Sequence, residues 1–541
     1  MRTAVDDDLE GGGEGPGPDA AAVEEVEGLG GTAEGARRLP SWAGDAALLA
    51  AVVVGLVARF VQRSPLWLDE ALSVNIARLP VGDLLDALRH DGHPPLYYLL
   101  LHGWMDLVGE SDAAVRALSG AFSVAALPLA WIAGRRLAGR SGARWSLAVA
   151  ALSPYLVRYA TETRMYSLVM LLVLAGYLLL ADALHRPTRS RLGGLAVVSG
   201  LLLLSHYWSF YLLAAVGLVL VARAWRRPAE RAATVPVVLA VAAGGVLFLP
   251  WIGGFLYQSG HTGTPWGEPF RPTVMVQTML ADMGGGAVGE ANLYASAVVV
   301  LVLVALFAAR SPWPSLRLDL RTVPGVRWEL AVVALVLAIG TLAGYATDAT
   351  FQGRYAATVV PLVLLAVAVG ITKVPSPARA VVALAYGGLS LFGVGWINHV
   401  ERTQSDEVAA AVAEQAGPGD VVVYCPDQLG PAYSREMPEG LVEVAYPTLD
   451  RPDRVDWVDY ADRNAAADPG RVAQEVLATA AGHAVFVVWA PGYDTFESQC
   501  QDLVNALGAG RTLVEQDGAH HYEPATLSVR PAARGPAGPV G

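Results

Sequence analysis

Two adjacent carboxylates, Asp69 and Glu70, stand in the segment WLDEALSV, soon after a long apolar stretch. Acids next to a membrane-sized apolar stretch are costly unless they are solvated, paired or used in chemistry. A carboxylate held beside a hydroxyl group can accept its proton as a general base. The same two acids could instead stabilise the first turn of a helix through the helix dipole. Spacing alone does not decide between these interpretations, and both can hold together.

Three further side chains have the chemistry to bind an anion such as phosphate. Arg164 lies in ETRMYSL, Arg354 in GRYAATVVPL, and His93 directly precedes two prolines that exclude it from a helix. The planar guanidinium group can hold phosphate through two hydrogen bonds. Each residue also has a structural interpretation: Arg164 pairs with Glu162 in a loop, Arg354 reaches the membrane interface, and His93 is a turn residue.

The composition is that of a membrane protein. The chain has 541 residues, of which 54% are hydrophobic and 16% charged, and its mean hydropathy is +0.40. The net charge of -12 comes partly from the acidic first 40 residues, and no basic surface for nucleic acid is apparent. Metal ligands with a recognisable spacing are also not apparent. We therefore predict no metal, no cofactor and no nucleic-acid partner.

About eleven membrane spans can be placed and oriented by the positive-inside rule, which weighs arginine and lysine in short connections. The predicted spans are 43–62, 113–134, 145–160, 165–182, 192–205, 208–222, 234–255, 293–309, 329–346, 356–372 and 380–397. Connections rich in arginine or lysine alternate with poor ones, and the rich ones are 135–144, 186–191, 223–231, 310–327 and 373–379. Assigning the rich connections to the cytoplasm makes the N-terminus cytoplasmic and the C-terminal region extracytoplasmic.

The connection 63–112 must then stay outside the membrane. Residues 81–89 repeat apolar side chains with the spacing of an amphipathic helix. Residues 93–109 are more apolar but contain His102 and Asp106, which favours a helix lying at the interface. His206, Tyr207 and Trp208 occupy another outer connection, where they could stack on a sugar or belong to the ordinary aromatic belt.

The two ends of the chain have soluble compositions. Residues 1–42 are rich in glycine, alanine and acids, and we predict a disordered cytoplasmic tail. Residues 398–541 alternate helical and strand patterns, which predicts a small extracytoplasmic α/β domain with a largely parallel sheet. Cys425 and Cys500 lie in this domain and could form a disulfide only outside the cytoplasm.

In their order and spacing, these segments resemble the membrane glycosyltransferases of the C-type fold. The resemblance is to the family 39-like group that contains protein O-mannosyltransferases and the aminoarabinose transferases that modify lipid A. It is carried by Asp69-Glu70, by HPPL at 93–96, by AAVRALSGAFSVAALPLAWIAGRRLAGR at 113–140, by ETRMYSL at 162–168 and by GRYAATVVPL at 353–362. It covers roughly residues 43–400 and implies an α-helical polytopic C-type glycosyltransferase domain.

The resemblance implies an inverting transfer of a mannose-type or arabinose-type sugar from a polyprenyl-phosphate carrier. The acceptor would be a glycan, glycolipid or protein of the cell envelope, on the outer face of the membrane. Asp69 would be the general base and Glu70 would orient it or hold the acceptor. Glu162 is a further catalytic candidate, although the family commonly has aspartate there. The side chains expected to bind the donor phosphate are His93, Arg164 and Arg354.

A polytopic transporter or lipid flippase without transferase activity is the alternative function. Transporters often have repeated halves and ionisable residues near the middle of the bilayer. In this sequence the acids lie at the ends of outer connections, and matching halves are not apparent. The pattern therefore favours the transferase.

Overall fold

The computed structural model describes residues 41–264, 267–286, 289–309, 315–321 and 325–533. From Ala47 onward the described residues form one compact unit, in which the C-terminal α/β part packs directly against the helical part. The predicted acidic tail, residues 1–42, lies outside the described residues except for its last two.

The helical part precedes residue 400. Its helices are α1 Ser41–Ala58, α2 Leu68–Ala77, α3 Val81–Asp91, α4 Leu96–Val108, α5 Asp112–Ala151, α6 Pro154–Ala160, α7 Tyr166–His185, α8 Arg189–Ser205, α9 Trp208–Arg226, α10 Arg231–Ala243, α11 Gly245–Phe248, α12 Ile252–His261, α13 Pro272–Met283, α14 Gly289–Phe307, α15 Arg327–Thr347, α16 Val360–Lys373 and α17 Ala378–His399. Three 3-10 turns, Pro228–Glu230, Leu249–Trp251 and Gly353–Thr358, and the two-residue strands β1 Ala308–Ala309 and β2 Arg317–Leu318 complete it.

The predicted multi-pass helical fold is confirmed. Seven stretches of the described helices are long and apolar enough to cross a membrane: Asp112–Ala151, Tyr166–His185, Trp208–Arg226, Pro228–His261, Gly289–Phe307, Arg327–Thr347 and Ala378–His399. The other four predicted spans fall on shorter helices or share one: 43–62 on α1, 145–160 on the end of α5 and on α6, 192–205 on α8, and 356–372 on α16. Large apolar side chains such as Leu239, Leu342 and Leu384 are exposed on these helices, as lipid-facing residues would be.

The long helix α5 is two helices joined by a sharp reversal. Ala138 and Gly139 have non-helical backbones, and Gly139 has a φ of 65°, which suits glycine. Gly134 and Gly142 lie so close across the reversal that a β-carbon on Gly142 would meet the Gly134 carbonyl oxygen at 2.3 Å. The two glycines therefore allow the chain to fold back on itself. For this reason the predicted spans 113–134 and 145–160 both begin within α5.

The centre of the helical part is α16. Every residue from Val360 to Thr372 is buried, and the helix packs mainly against α5 and α14. A helix that is apolar all round is typical of a core position. The 3-10 turn Gly353–Thr358, which contains Arg354, leads into this helix, so the backbone of Arg354 is held close to the buried core of the fold.

Helices α2, α3 and α4 occupy the connection that was predicted to stay outside the membrane. In α3, Leu84 and Leu88 are buried, as the amphipathic pattern predicts. Gly92 ends α3 with a φ of 87°, a left-handed cap that turns the chain toward His93 and the start of α4.

The C-terminal part contains both helices and strands. Its helices are α18 Ser405–Ala413, α19 Gly430–Tyr433, α20 Tyr460–Ala465, α21 Pro469–Ala480 and α22 Gln499–Leu507, with a 3-10 turn at Asp427–Leu429. Its strands are β3 Glu401–Thr403, β4 Val421–Cys425, β5 Val442–Ala445, β6 Val485–Trp489, β7 Arg511–Val514, β8 His521–Glu523 and β9 Thr526–Arg530. A disulfide joins Cys425 at the end of β4 to Cys500 in α22.

The predicted small α/β region is confirmed, but its sheet is mixed. The five strands follow the order β5–β4–β6–β9–β7. The first three are parallel, whereas β9 runs antiparallel to both β6 and β7, so the prediction of a largely parallel sheet is wrong in this half. Buried parallel strands read as continuous apolar runs, and β4 and β6 have that pattern. The strands β3 and β8 form a separate parallel pair beside the end of α17.

Candidate active site

A cavity of about 500 Å³ opens where several helix ends meet the C-terminal part. One wall is built from the beginning of α2, the turn before α4, the connections after α8 and α12, and the 3-10 turn before α16. The opposite wall comes from the loops after β4 and β6 and from β8. Four of the six predicted site residues line the cavity: Asp69, His93, Arg164 and Arg354.

Asp69 lies in the first turn of α2, and its side chain is 14% exposed. The Arg354 Nη1 atom lies 2.9 Å from Asp69 Oδ2, which makes an ion pair. That oxygen makes no hydrogen bond of good geometry to the residues that the structure describes. Asp69 is therefore a carboxylate of the cavity wall whose Oδ2 atom has Arg354 as its ion-pair partner.

Arg164 lies behind Asp69 and is almost fully buried. Its Nη1 atom donates to Ser73 Oγ at 3.0 Å and to the Tyr98 hydroxyl at 3.2 Å, and it lies 3.4 Å from the Asp69 carbonyl oxygen. These contacts fix the guanidinium group across the start of α2 and α4. A cation held so rigidly is preorganised to stabilise negative charge.

His93 connects Arg164 to a buried carboxylate. Its Nδ1 atom lies 2.8 Å from Asp91 Oδ2, and its Nε2 atom lies 2.9 Å from Arg164 Nη2. The Tyr98 hydroxyl also donates to Asp91, at 2.7 Å. Burial raises the pKa of Asp91, but His93 and Arg164 lower it, and the result lies below the usual value. Asp91 is therefore the charged residue that orients His93.

Glu70 is fully buried and does not line the cavity. Arg116 holds both of its oxygens, at 2.8 and 2.7 Å, and Arg402 Nη1 and the Thr163 N–H add bonds of 3.1 and 3.0 Å. Burial raises the pKa of Glu70, but the two arginines and these hydrogen bonds lower it to about 2. Its contacts tie α2 to α5, to the loop before α7 and to β3, and none of them reaches the cavity.

Glu162 also lies behind the cavity wall, and it is 2% exposed. Its Oε1 atom makes no hydrogen bond to the described residues. Burial raises the pKa of Glu162 to about 7, while Arg402 and Arg158 lower it and the nearby acids Glu70 and Asp69 raise it. This residue therefore changes its charge in the neutral pH range close to, but outside, the cavity.

Several cavity residues have no motif that identifies them in the sequence. The C-terminal part contributes Gln428, Trp457, Tyr493 and Glu523 from separate loops and strands. His206, Tyr207 and Trp208 line the cavity as well, which favours a ligand contact over a belt position alone. Among the described residues, three or more His, Cys, Asp or Glu side chains do not gather in a way that would hold a metal ion.

Residues 92–253 match the family described as dolichyl-phosphate-mannose-protein mannosyltransferase. No curated protein sequence matches the chain. The solved structure of ArnT from Cupriavidus metallidurans bound to undecaprenyl phosphate matches with a TM-score of 0.54 and 13% identity, over 90% of this chain and 98% of that chain.

Two other solved structures match with lower scores. The oligosaccharyltransferase of Archaeoglobus fulgidus gives a TM-score of 0.46 and 10% identity, over 82% of this chain and 67% of that chain. The arabinofuranosyltransferase AftD from mycobacteria gives 0.45 and 15% identity, over 90% and 40%. The chain has the fold of the C-type membrane glycosyltransferases, and its resemblance to the group of protein O-mannosyltransferases and aminoarabinose transferases is confirmed.

Proposed function

We propose that the chain is an inverting glycosyltransferase that moves a sugar from a polyprenyl-phosphate donor to an acceptor of the cell envelope. The observation that carries the proposal is the ion pair of Asp69 with Arg354, at 2.9 Å, in a cavity that Arg164 and His93 also line. These side chains together supply a base for a hydroxyl group and positive charge for a departing phosphate.

The donor phosphate would bind at the two guanidinium groups and His93. Arg354 has cation–π contacts with Trp67 and Tyr355, each 6.0 Å from the ring centre, which keep its side chain at the cavity surface. Arginine suits this task because its donors match the geometry of phosphate oxygens. The ArnT structure of the same fold contains undecaprenyl phosphate, which is a lipid carrier of this class.

The transfer step uses Asp69 as the base. Asp69 takes the proton of the acceptor hydroxyl while the hydroxyl oxygen forms a bond to the anomeric carbon of the sugar. The bond from that carbon to the phosphate oxygen breaks, and its electron pair leaves with the polyprenyl phosphate. Attack from the face opposite the phosphate inverts the anomeric configuration. Arg354 and Arg164 stabilise the charge that develops on the phosphate.

The ion pair of Asp69 and Arg354 gives the reaction an order. A donor phosphate competes with Asp69 for Arg354. Donor binding would therefore release the base at the moment when the acceptor can be used.

The acceptor would enter along the wall that the C-terminal part supplies. Trp457 and Tyr493 offer aromatic surface there, and Gln428 offers an amide. Aromatic and polar side chains in this combination suit an acceptor that presents hydroxyl groups, and a glycan, a glycolipid or a protein all fit that description. The donor sugar would be of the mannose or arabinose type, and no metal or cofactor would be required.

The reaction would take place on the outer face of the membrane. The N-terminal ends of α7, α9 and α16 lie near the cavity, next to connections that contain few arginines. Their C-terminal ends lead into the basic connections 186–191, 223–231 and 373–379, which the positive-inside rule assigns to the cytoplasm. The disulfide between Cys425 and Cys500 is of the kind that persists in oxidising compartments. Both features support a cytoplasmic N-terminus and an extracytoplasmic C-terminal part.

The test is sugar transfer by membranes that contain the native chain or Asp69→Asn. Membranes receive radiolabelled polyprenyl-phosphate mannose or polyprenyl-phosphate arabinofuranose, and labelled envelope products are counted. Loss of a general base lowers kcat by about 10²- to 10⁴-fold. Asp106→Asn is the matched control, since Asp106 is an exposed aspartate of the same outer connection and does not line the cavity.

Transfer that survives Asp69→Asn at the native rate would refute the assignment of the base. A native chain that transfers no sugar from either donor would count against the transferase and favour the transporter or flippase.

A further inference from the structure

Glu523 is another carboxyl group of the cavity wall, and it comes from the far end of the described chain. It is 4% exposed and lies at the end of the short strand β8. Nothing in the local sequence, HHYEP, marks it as part of a site.

The Glu523 side chain caps the helix that bears Asp69. Its Oε2 atom accepts a hydrogen bond of 3.3 Å from the backbone N–H of Leu68, the first residue of α2. The first N–H groups of a helix have no partner inside the helix, and Trp67, which precedes α2, makes no capping bond with its side chain. Glu523 therefore satisfies a helix terminus from 455 residues away.

The same pair of strands also holds the other side of Asp69. Arg402 of β3 bonds Glu70 at 3.1 Å, and β3 pairs with β8 so that Thr403 lies opposite Glu523. The residues directly before and after Asp69 are thus both attached to one strand pair. The Tyr433 hydroxyl donates to the Glu523 carbonyl oxygen at 2.8 Å, which fixes β8 in turn.

We propose that Glu523 is a positioning residue of the transfer site, which holds the first turn of α2 and so fixes the direction of the Asp69 carboxylate. This inference rests on the proposed function and adds a role for the C-terminal part. The paired strands β3 and β8 provide the rigid support, and Glu523 is the residue of this pair that bonds the first turn of α2.

The protonation of Glu523 suits this role. Burial raises the pKa of Glu523 well above its usual range, although the Leu68 N–H and the Thr403 hydroxyl lower it, and the nearby Asp69 raises it. The titratable groups near Glu523 are Asp69 on α2, Tyr433 on α19 and Tyr493 after β6. A shift in this direction favours the neutral carboxyl group, which accepts the Leu68 hydrogen bond without repelling the carboxylate of Asp69.

The experiment compares Glu523→Ala with Glu523→Gln in the purified full chain. Glutamine keeps a carbonyl oxygen for Leu68, whereas alanine removes the cap. We expect Glu523→Ala to lower kcat by about 10- to 100-fold and to leave the KM for the donor unchanged. The reason is that a small displacement of a catalytic group lowers the rate of the chemical step strongly. We expect Glu523→Gln to keep a kcat close to the native value.

Glu401→Gln is the control, because Glu401 lies on the same strand pair but bonds His521 at the exposed side. Rates are divided by the amount of folded protein, measured by size-exclusion chromatography and thermal unfolding. A native kcat in Glu523→Ala, or an equal loss in alanine and glutamine variants, would overturn the positioning role. If the native chain transfers no sugar, the proposed function fails and this inference with it, whereas transfer at the native rate by every variant overturns the inference alone.

Discussion

Replacing Glu162 by glutamine tests the electrostatics behind the cavity wall. Glu162 is buried, and burial raises its pKa from 4.5 to about 7 in spite of the nearby guanidinium groups. The difference between 4.5 and about 7 corresponds to about 3 kcal/mol, at about 1.4 kcal/mol for each pH unit. This is the free energy that ionisation of Glu162 removes from the folded protein.

The sign follows from proton binding. Below pH 4.5, Glu162 is protonated in the folded and the unfolded chain, so its contribution does not change. Between pH 4.5 and 7 the folded chain keeps a proton that the unfolded chain has lost, and stability falls as the pH rises. Above pH 7 the full loss is present. Glu162→Gln has no such proton, and its advantage over the native chain should grow by about 3 kcal/mol from pH 4 to pH 8.

The assay is the free energy of unfolding of both chains in detergent micelles at pH 4, 6 and 8. The neighbouring variant Glu70→Gln is the control, because the pKa of Glu70 is lowered to about 2 and its stability difference from the native chain should therefore change little between pH 4 and 8. A stability difference between native and Glu162→Gln that stays constant over this pH range would contradict the reasoning.

Two further outcomes are expected. Glu70→Gln should destabilise the chain by about 3 to 5 kcal/mol at pH 7, because it leaves two buried arginines without their carboxylate, and the free energy of unfolding measures this loss. The stability advantage of the native chain over Glu70→Gln should disappear as the pH falls from 4.5 to about 2. Arg354→Lys should raise the KM for the donor by about tenfold through loss of a charged hydrogen bond, as initial rates over a range of donor concentrations would reveal, while Arg271→Lys at an exposed position should leave it unchanged.

Much of the helical part could be predicted because lipid imposes a simple rule on sequence. A span must be apolar and long, and the connections rich in arginine sort to one side. The reversal inside α5 is a local feature, since Gly134, Gly139 and Gly142 are visible in the sequence, but its sharpness depends on two helices touching. The strands β4 and β6 stand out as apolar runs, whereas β7 and β9 contain polar residues among the apolar ones, so their antiparallel pairing could not be seen.

The site was predictable only in part, because its contacts cross large sequence distances. Asp69, His93, Arg164 and Arg354 were predicted from their chemistry together with the family resemblance, and the structure brings them into one cavity. The partners of Glu70 are Arg116 and Arg402, which lie 46 and 332 residues away in the sequence. Residue spacing near Glu70 therefore could not predict that these arginines surround its carboxylate. Burial, which decides the charge of Glu162, is likewise a property of the folded chain alone.

The order of strands in the C-terminal sheet has a consequence for synthesis. The strand β9 is inserted between β6 and β7, both of which come earlier in the chain. Until residues 526–530 have emerged during translation, β7 has no neighbour, and β8, with the Glu523 cap, has only just become available. A chain synthesised only as far as β7 therefore already contains its membrane helices, but the five-stranded sheet, whose loops supply part of the cavity wall, cannot be completed before β9 is made.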